Sequence, residues 1–266
     1  MKTKLLEEIH RLIATATPED QRTLFDSLRR QFPIHALEKE WNADAELILE
    51  AIHRAADLTK RGIRGVIAEA AFERDIVTPL EARGWKDETR PGNIPFDFLL
   101  RDQIGPVRIQ VKMQRLEKGV PRHWRFGGKA ASNFFVVETQ KTRSGKDKSG
   151  EDTRPYRFGE FDILAVSLHP STNNWRQFIY TVANWLIPRS GRADLIAVLQ
   201  PVSLTPNVDW TDSYEKAVEW FRAGNRKAIA DPCSMDRAAK VANKPLKKIK
   251  SKKKGAVARR KSSKPI

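Results

Sequence analysis

A chain of 266 residues, 40% hydrophobic and 31% charged, carries enough apolar material for one large domain or two small ones. It holds no apolar run of about 18 residues that could cross a membrane, and its opening MKTKLLEEIHRLI is acidic and helically periodic rather than signal-like. A single cysteine, Cys233, excludes a disulfide framework and a multi-cysteine zinc site and places the chain in a reducing cytoplasm. The formal charge of +16 is concentrated at one end: 13 basic and no acidic residues lie from Arg237 onward, which leaves 36 basic against 33 acidic groups elsewhere. The body is therefore nearly neutral, and the charge alone does not describe a basic DNA-binding fold.

Residues 3–60 read as helical. Leu5, Ile9 and Leu12 share a face, and Leu24, Leu28 and Phe32 repeat every fourth residue. Between them Thr17-Pro18-Glu19-Asp20 is a helix start: a cap, a proline, then acids at the positive end of the dipole. A third stretch, Ala43 to Ala56, places Leu47, Ile48, Ile52 and Ala55 on one side. A fourth helix is expected from Arg64 to Arg83, kinked at Pro79 and stopped by Gly84.

After Gly84 the texture becomes strand-like. Phe96–Leu100 and Val107–Met113 form a predicted hairpin about the turn Asp102–Pro106. Phe134–Val137, Phe161–Leu168 and Leu195–Leu199 are further strands, Trp175–Ile187 a strand followed by a short helix, and Ser213–Phe221 a helix with Ala217 and Trp220 inward. Gln114–Asn133 and Gln140–Gly159 are polar and read as long exposed loops. The tail, residues 233–266, reads as basic and disordered.

The informative stretch runs from Glu73 to Lys112. Glu73 sits on the helix before the hairpin, Asp97 in the first strand, and Gln110 and Lys112 in the second. Strand residues two apart share a face, so Gln110 and Lys112 emerge together, and Asp97 lies across from them in the simplest register. Arg108 continues the same alternation. An Asp among Phe and Leu, and a Lys between Val111 and Met113, are costly to bury without partners. A hard cation and a phosphate would supply them: Asp97 and the Gln110 oxygen suit Mg²⁺, with Glu73 as a further ligand or a water-positioning acid. Lys112 would then serve the attacking water or the developing phosphorane charge. Glu69, one turn earlier, is the alternative to Glu73.

This arrangement resembles the PD-(D/E)xK nuclease superfamily in its QxK variant: Glu73 on a helix, Pro95 shortly before Asp97, then Gln110-Val111-Lys112 on the paired strand. The resemblance covers about residues 62–140. It departs from the pattern in having glutamine as the second acid and in setting Pro95 two residues before Asp97. It implies an α/β fold with a restriction-endonuclease-like core, a central mixed sheet flanked by helices, over residues 61–232. Residues 1–60 form a helical region before it, for dimerisation or DNA contact. It further implies a Mg²⁺-dependent endonuclease on double-stranded DNA, most simply a homodimeric type II restriction enzyme with a cognate methyltransferase, in the cytoplasm. The alternatives are a resolvase-like repair or recombination nuclease and a non-catalytic DNA-binding module on the same fold.

Arg122, Trp124 and Arg125 form a basic-aromatic segment suited to a DNA groove, and Lys141 and Arg143 suit phosphate contact. Against these stand plain solvated-loop readings of the same residues. Asp162, a second acid inside an apolar strand, reads as a structural partner of a buried Arg more than as a catalytic group. His123 and His169 lack metal-like spacing and read as surface or loop residues.

Overall fold

A computed structural model describes residues 2–232, apart from 33–34, 93, 127–128, 142–144, 147–149, 151–152 and 231. Cys233, the basic tail and Arg143 lie outside the described residues. The chain divides into two units, Met1–Glu73 and Arg74–Ile266.

The first unit is helical: α1 (Lys2–Thr15), α2 (Pro18–Gln31), α3 (Ala36–Trp41), α4 (Ala45–Arg54) and α5 (Asp57–Phe72). Thr17 caps α2 by accepting the Asp20 N–H, and Asp44 caps α4 by accepting the Leu47 N–H at 2.7 Å. Arg29 joins α2 to its successors through Glu38 at 3.2 Å and Glu46 at 2.7 Å. The short α3 was not expected from periodicity.

The helix expected over Arg64–Arg83 is not continuous. It begins earlier, at Asp57, and α5 gives way to a π-helical turn, Glu73–Val77, before α6 (Thr78–Glu81). Pro79 lacks the N–H that the Asp75 carbonyl would accept in an unbroken helix. The wide turn lies just before it, so the break precedes the proline rather than bending at it. Gly84, at φ 92°, ends the segment as expected.

The second unit is a mixed α/β assembly. Its main sheet has the order β1 (Lys86–Asp87), β2 (Phe98–Arg101), β3 (Pro106–Met113), β8 (Ile163–Ser167), β9 (Phe178–Val182). All neighbours are antiparallel except β3 and β8, which run parallel. Among the described residues the crossover between those two contains no helix. It is an excursion through the ribbon β4 (Leu116–Glu117)–β5 (Val120–Pro121) and through β6 (His123–Phe126) and β7 (Lys129–Glu138). After the short α7 (His169–Thr172) and β9, the chain makes a second ribbon, β10 (Pro188–Arg189)–β11 (Arg192–Ile196). Strand β12 (Leu199–Ser203) then completes a three-stranded sheet ordered β12-β7-β6.

Two expectations are corrected here. Gln114–Asn133 is not a loop: His123, Arg125 and Phe126 pair with β7 across a register shift between His123 and Arg125, and the His123 ring lies 4.4 Å from that of Phe135. Leu195–Leu199 is the joint between two strands rather than one strand. The buried Gln200 amide holds that joint, accepting the Ile187 N–H at 2.8 Å and donating to the carbonyls of Ile187 and Ala197.

Strand β3 explains the layering. Val107, Ile109 and Val111 are fully buried on one face. The other face carries Arg108, Gln110, Lys112 and Gln114, beside Leu164 and Val166 of β8. Leu164 and Val166 join Phe135, Val137, Tyr156, Phe161, Ile196 and Val202 in the main core, so this face looks toward the second sheet. Helix α8 (Tyr214–Arg222) packs on β8 and β9, with Tyr214 against Tyr180 at 6.0 Å and Ala217 fully buried.

Candidate active site

The hairpin places Asp97 opposite Gln110. Phe98 pairs with Ile109, and the Asp97 N–H continues the ladder by donating to the Ile109 carbonyl at 2.9 Å. The backbone ladder ends there, two residues after Pro95. The next donor on β3, the Val111 N–H, is taken instead by the Asp97 side chain: Oδ2 accepts it at 2.7 Å. The same oxygen accepts from Gln110 Nε2, which also donates to the Val111 carbonyl at 3.2 Å.

Gln110 is fully buried, and its oxygen is used as well. Oε1 accepts from the hydroxyl of Tyr156, itself almost fully buried, at 3.0 Å. The Tyr156 ring meets Phe161 edge-on at 5.2 Å. Lys112 Nζ and Lys141 Nζ lie 5.6 and 5.4 Å from its centroid. Lys141 also forms an ion pair with Glu160 at 2.7 Å, and the second Glu160 oxygen accepts the Arg157 N–H at 2.8 Å. Two lysines, two acids, a glutamine and a tyrosine thus gather on the polar face of β3.

Burial pushes the Asp97 carboxyl above the usual carboxylate range. The Lys112 charge, the Val111 N–H and the Gln110 amide pull the other way without cancelling it. A buried carboxylate whose own neighbours undercompensate it is a site that gains from a cation.

Asp97, Gln110 and Lys112 are brought together. Glu73 is not part of the same unit: it is exposed and opens the π-helical turn, while the strand residues belong to the second unit. Glu69 lies in the first unit as well, on α5. Arg108 and Asp162 are a structural pair, as the alternation and the buried acid separately suggested. Asp162 accepts from the Arg108 backbone N–H at 2.9 Å and from its guanidinium at 3.0 and 2.6 Å. This leaves Asp162 no role at the cluster.

The expected DNA-facing residues divide. Arg125 is exposed on β6, an edge strand, and Trp124 beside it is half-buried. Arg122 lies between β5 and β6 and faces Glu117 at 3.8 Å. Lys141 is half-buried, held by Glu160 and the Tyr156 ring rather than extended from a solvated loop. The two histidines are packed rather than free on the surface: His169 stacks on Trp175 at 3.7 Å, and burial pushes its pKa down.

Tyr156 and Glu160 escaped sequence reasoning. Tyr156 lies in the segment read as a polar loop and Glu160 between that segment and the strand read from Phe161, and the one hint was an aromatic residue between Pro155 and Arg157 in an otherwise polar run.

The donor set is of hard oxygens: one carboxylate, one amide oxygen and one peptide carbonyl. Among the described residues no group of three or more His, Cys, Asp or Glu is placed to hold a metal ion. Any cation here would be held by this mixed set rather than by an acidic cluster. No helix among those residues is long and apolar enough to cross a membrane.

No family model matches the chain, and no curated protein does. Among solved structures, it is similar to a bacterial homing endonuclease, I-Ssp6803I. The likeness has 17% identity and a TM-score of 0.32, and it covers 61% of this chain and 94% of that one.

Proposed function

We propose that the protein is a Mg²⁺-dependent endonuclease of double-stranded DNA on a restriction-endonuclease-like core, acting most simply as a type II restriction enzyme. The observation that carries this reading is the convergence of the Asp97 carboxylate and the Val111 carbonyl on one polarised group, with Lys112 close by on the same strand. Asp97, the Gln110 oxygen and the Val111 carbonyl would hold the cation, which when bound supplies charge neutralisation at the scissile phosphate. Lys112, held near the Tyr156 ring, orients water or offsets charge building on the phosphate oxygens. Glu73 is proposed as an accessory acid and ligand from the sequence pattern alone.

Cutting both strands of a duplex asks for two such sites, hence a homodimer. The helical unit suits the interface: Leu5, Leu12, Phe25, Phe32, Leu47 and Leu49 are each more than half exposed, an expanse of apolar surface that soluble monomers seldom leave uncovered. The exposed Arg125 and half-buried Trp124 on the edge strand β6, with Arg122 just before it, are the proposed groove contacts, and Lys141 and Arg143 the proposed phosphate contacts. A cognate methyltransferase and a cytoplasmic setting follow from the restriction reading.

The test is incubation of the purified protein with phage DNA and Mg²⁺, beside EDTA and the variants Asp97→Asn and Lys112→Ala. Discrete fragments lost in all three controls are expected. A smear with the same dependence would favour a resolvase-like or nonspecific nuclease. Uncut DNA that binds equally with EDTA or Mg²⁺ would refute the enzyme and leave the binding module, a reading favoured by the amide that closes off Asp97.

A further inference from the structure

The Gln110 amide is the unusual member of the cluster. Its NH₂ group lies against Asp97 Oδ2 and 3.2 Å from the Val111 carbonyl, so the positively polarised end of a side chain sits where two of the candidate ligand oxygens converge. Its oxygen, the third candidate ligand, points away and is occupied by the Tyr156 hydroxyl. In this state the glutamine fills the place of a cation and offers it nothing.

A half-turn of the terminal amide exchanges its oxygen and nitrogen and leaves the rest of the side chain in place. The oxygen then joins Asp97 and Val111, and the NH₂ group faces Tyr156. Whether that turned state is affordable depends on the residue on the far side. Gln110 is 1% exposed, so a released amide proton has no water to receive it, and an unmatched donor there would oppose the turn. A hydroxyl is the partner that suits both states. It donates to the amide oxygen in one and accepts from the amide nitrogen in the other by rotating only its proton. A lysine could only donate and a carboxylate could only accept. The tyrosine ring is also held firmly, by Phe161, by the neighbouring bridge between Arg157 and Leu195, and by the Tyr156 carbonyl, which accepts the Ile196 N–H at 2.8 Å.

We propose that Tyr156 is a positioning residue that lets Gln110 act as a reversible plug: the amide occupies the cation position in the free protein and turns to ligate when a divalent cation enters, with the Tyr156 hydroxyl exchanging donor for acceptor. This rests on the cation-binding reading above and adds to it a residue 46 positions along the chain and a gating step made of one amide rotation. It also accounts for glutamine at this position. A carboxylate would bind the cation more strongly, but it would set two buried negative charges side by side whenever the cation was absent.

The test is a double-variant cycle on the full chain without DNA, following thermal unfolding across a Mg²⁺ series, so that ion binding is read apart from cleavage. Tyr156→Phe takes a partner from both states, but it orphans an N–H in the turned one and only a carbonyl oxygen, the lesser penalty, in the free one; it should therefore raise the half-stabilising Mg²⁺ concentration about tenfold, as loss of a ligand's outer partner commonly does. In a Gln110→Glu background, where both ends of the side chain are oxygens and nothing must turn, Tyr156→Phe should change that concentration less than about twofold, the usual scatter between non-interacting sites. The unmodified chain gives a second readout. Nuclear Overhauser contacts of the Gln110 amide protons should pass from Val111 without Mg²⁺ to the Tyr156 ring with it. An unchanged Mg²⁺ requirement in Tyr156→Phe, an equal change in both backgrounds, or contacts that stay on Val111 at saturating Mg²⁺ would each overturn the plug while leaving the cation site standing. No Mg²⁺-dependent stabilisation of the unmodified chain would overturn both.

Discussion

Asp102→Asn isolates the charge of a single ion pair. Asp102 sits in the β2–β3 turn, where Oδ1 accepts the Ile104 N–H at 2.9 Å and the Gly105 N–H at 3.1 Å. Its two oxygens also receive both terminal nitrogens of Arg222, on α8, at 2.8 and 2.6 Å. Asparagine keeps the turn and one guanidinium contact and loses the charge. The Arg222 hydrogen bonds, helped by the two turn amides, hold the carboxyl down from 3.8 to about 2. At about 1.36 kcal/mol per pH unit this sets a ceiling of roughly 2.5 kcal/mol. Both side chains are about a fifth exposed, and solvent screening brings the contribution to about 1 kcal/mol. A depressed carboxyl stabilises the fold fully above its unfolded value and loses that contribution as pH falls through its native one. Melting at pH 7 should therefore separate wild type from Asp102→Asn by roughly 2–4 °C. The gap should narrow below about pH 4 and close near pH 2. Equal melting at pH 7, or a gap that persists undiminished at pH 2.5, would refute the assignment of this stability to charge.

Other expectations follow from the same structure. Arg108→Leu should cost about 3 kcal/mol in urea unfolding, because it strands the buried Asp162 carboxylate; Asp162→Asn should cost less, since Arg108 is a third exposed and can turn to water. Asp97→Asn should abolish the proposed cleavage yet raise the melting temperature at pH 7. Its native carboxyl is raised, so the charged form that prevails above that value is a net cost, and the gain should fade as pH drops toward the ordinary 3.8. Trp210→Ala should cost about 3–5 kcal/mol, because the indole is fully buried in the main core.

What the sequence made legible was local. The pairing of Asp97 with Gln110 spans 13 residues and needs only an alternating strand, a turn with Asp102 and Gly105, and a return strand of matching length. Thr17-Pro18 announced the start of α2 for the same reason: a cap is a short-range hydrogen bond. Contacts assembled across long separations were hidden. Arg108 and Asp162, 54 residues apart, were each visible as a charge in an apolar strand, but only their opposite signs hinted that they meet. Tyr156 looked like part of a polar loop because nothing near it in sequence shows that β7 and β8 close over it. The strand β6 was missed because its arginine and histidine outweighed its alternation, and the π-helical turn because helical periodicity does not register one extra residue.

The excursion between β3 and β8 bears on the order of folding. The β2–β3 hairpin closes over four residues, 102–105, whereas the parallel pairing of β3 with β8 must bring together segments separated by about 50. Chain-closure entropy makes the second event costlier by about 2 kcal/mol before any contact rewards it. The hairpin, with Asp97, Gln110 and Lys112 already aligned, therefore belongs to the early part of the folding path, and Tyr156, which precedes β8, arrives late. Substitutions in the hairpin, such as Leu100→Ala, should slow folding, while Ala165→Gly in β8 should mainly speed unfolding. A nascent chain would thus carry the candidate-site side chains without the residue proposed to position Gln110, and the cluster would gain that partner only as the long-range pairing of β3 with β8 forms.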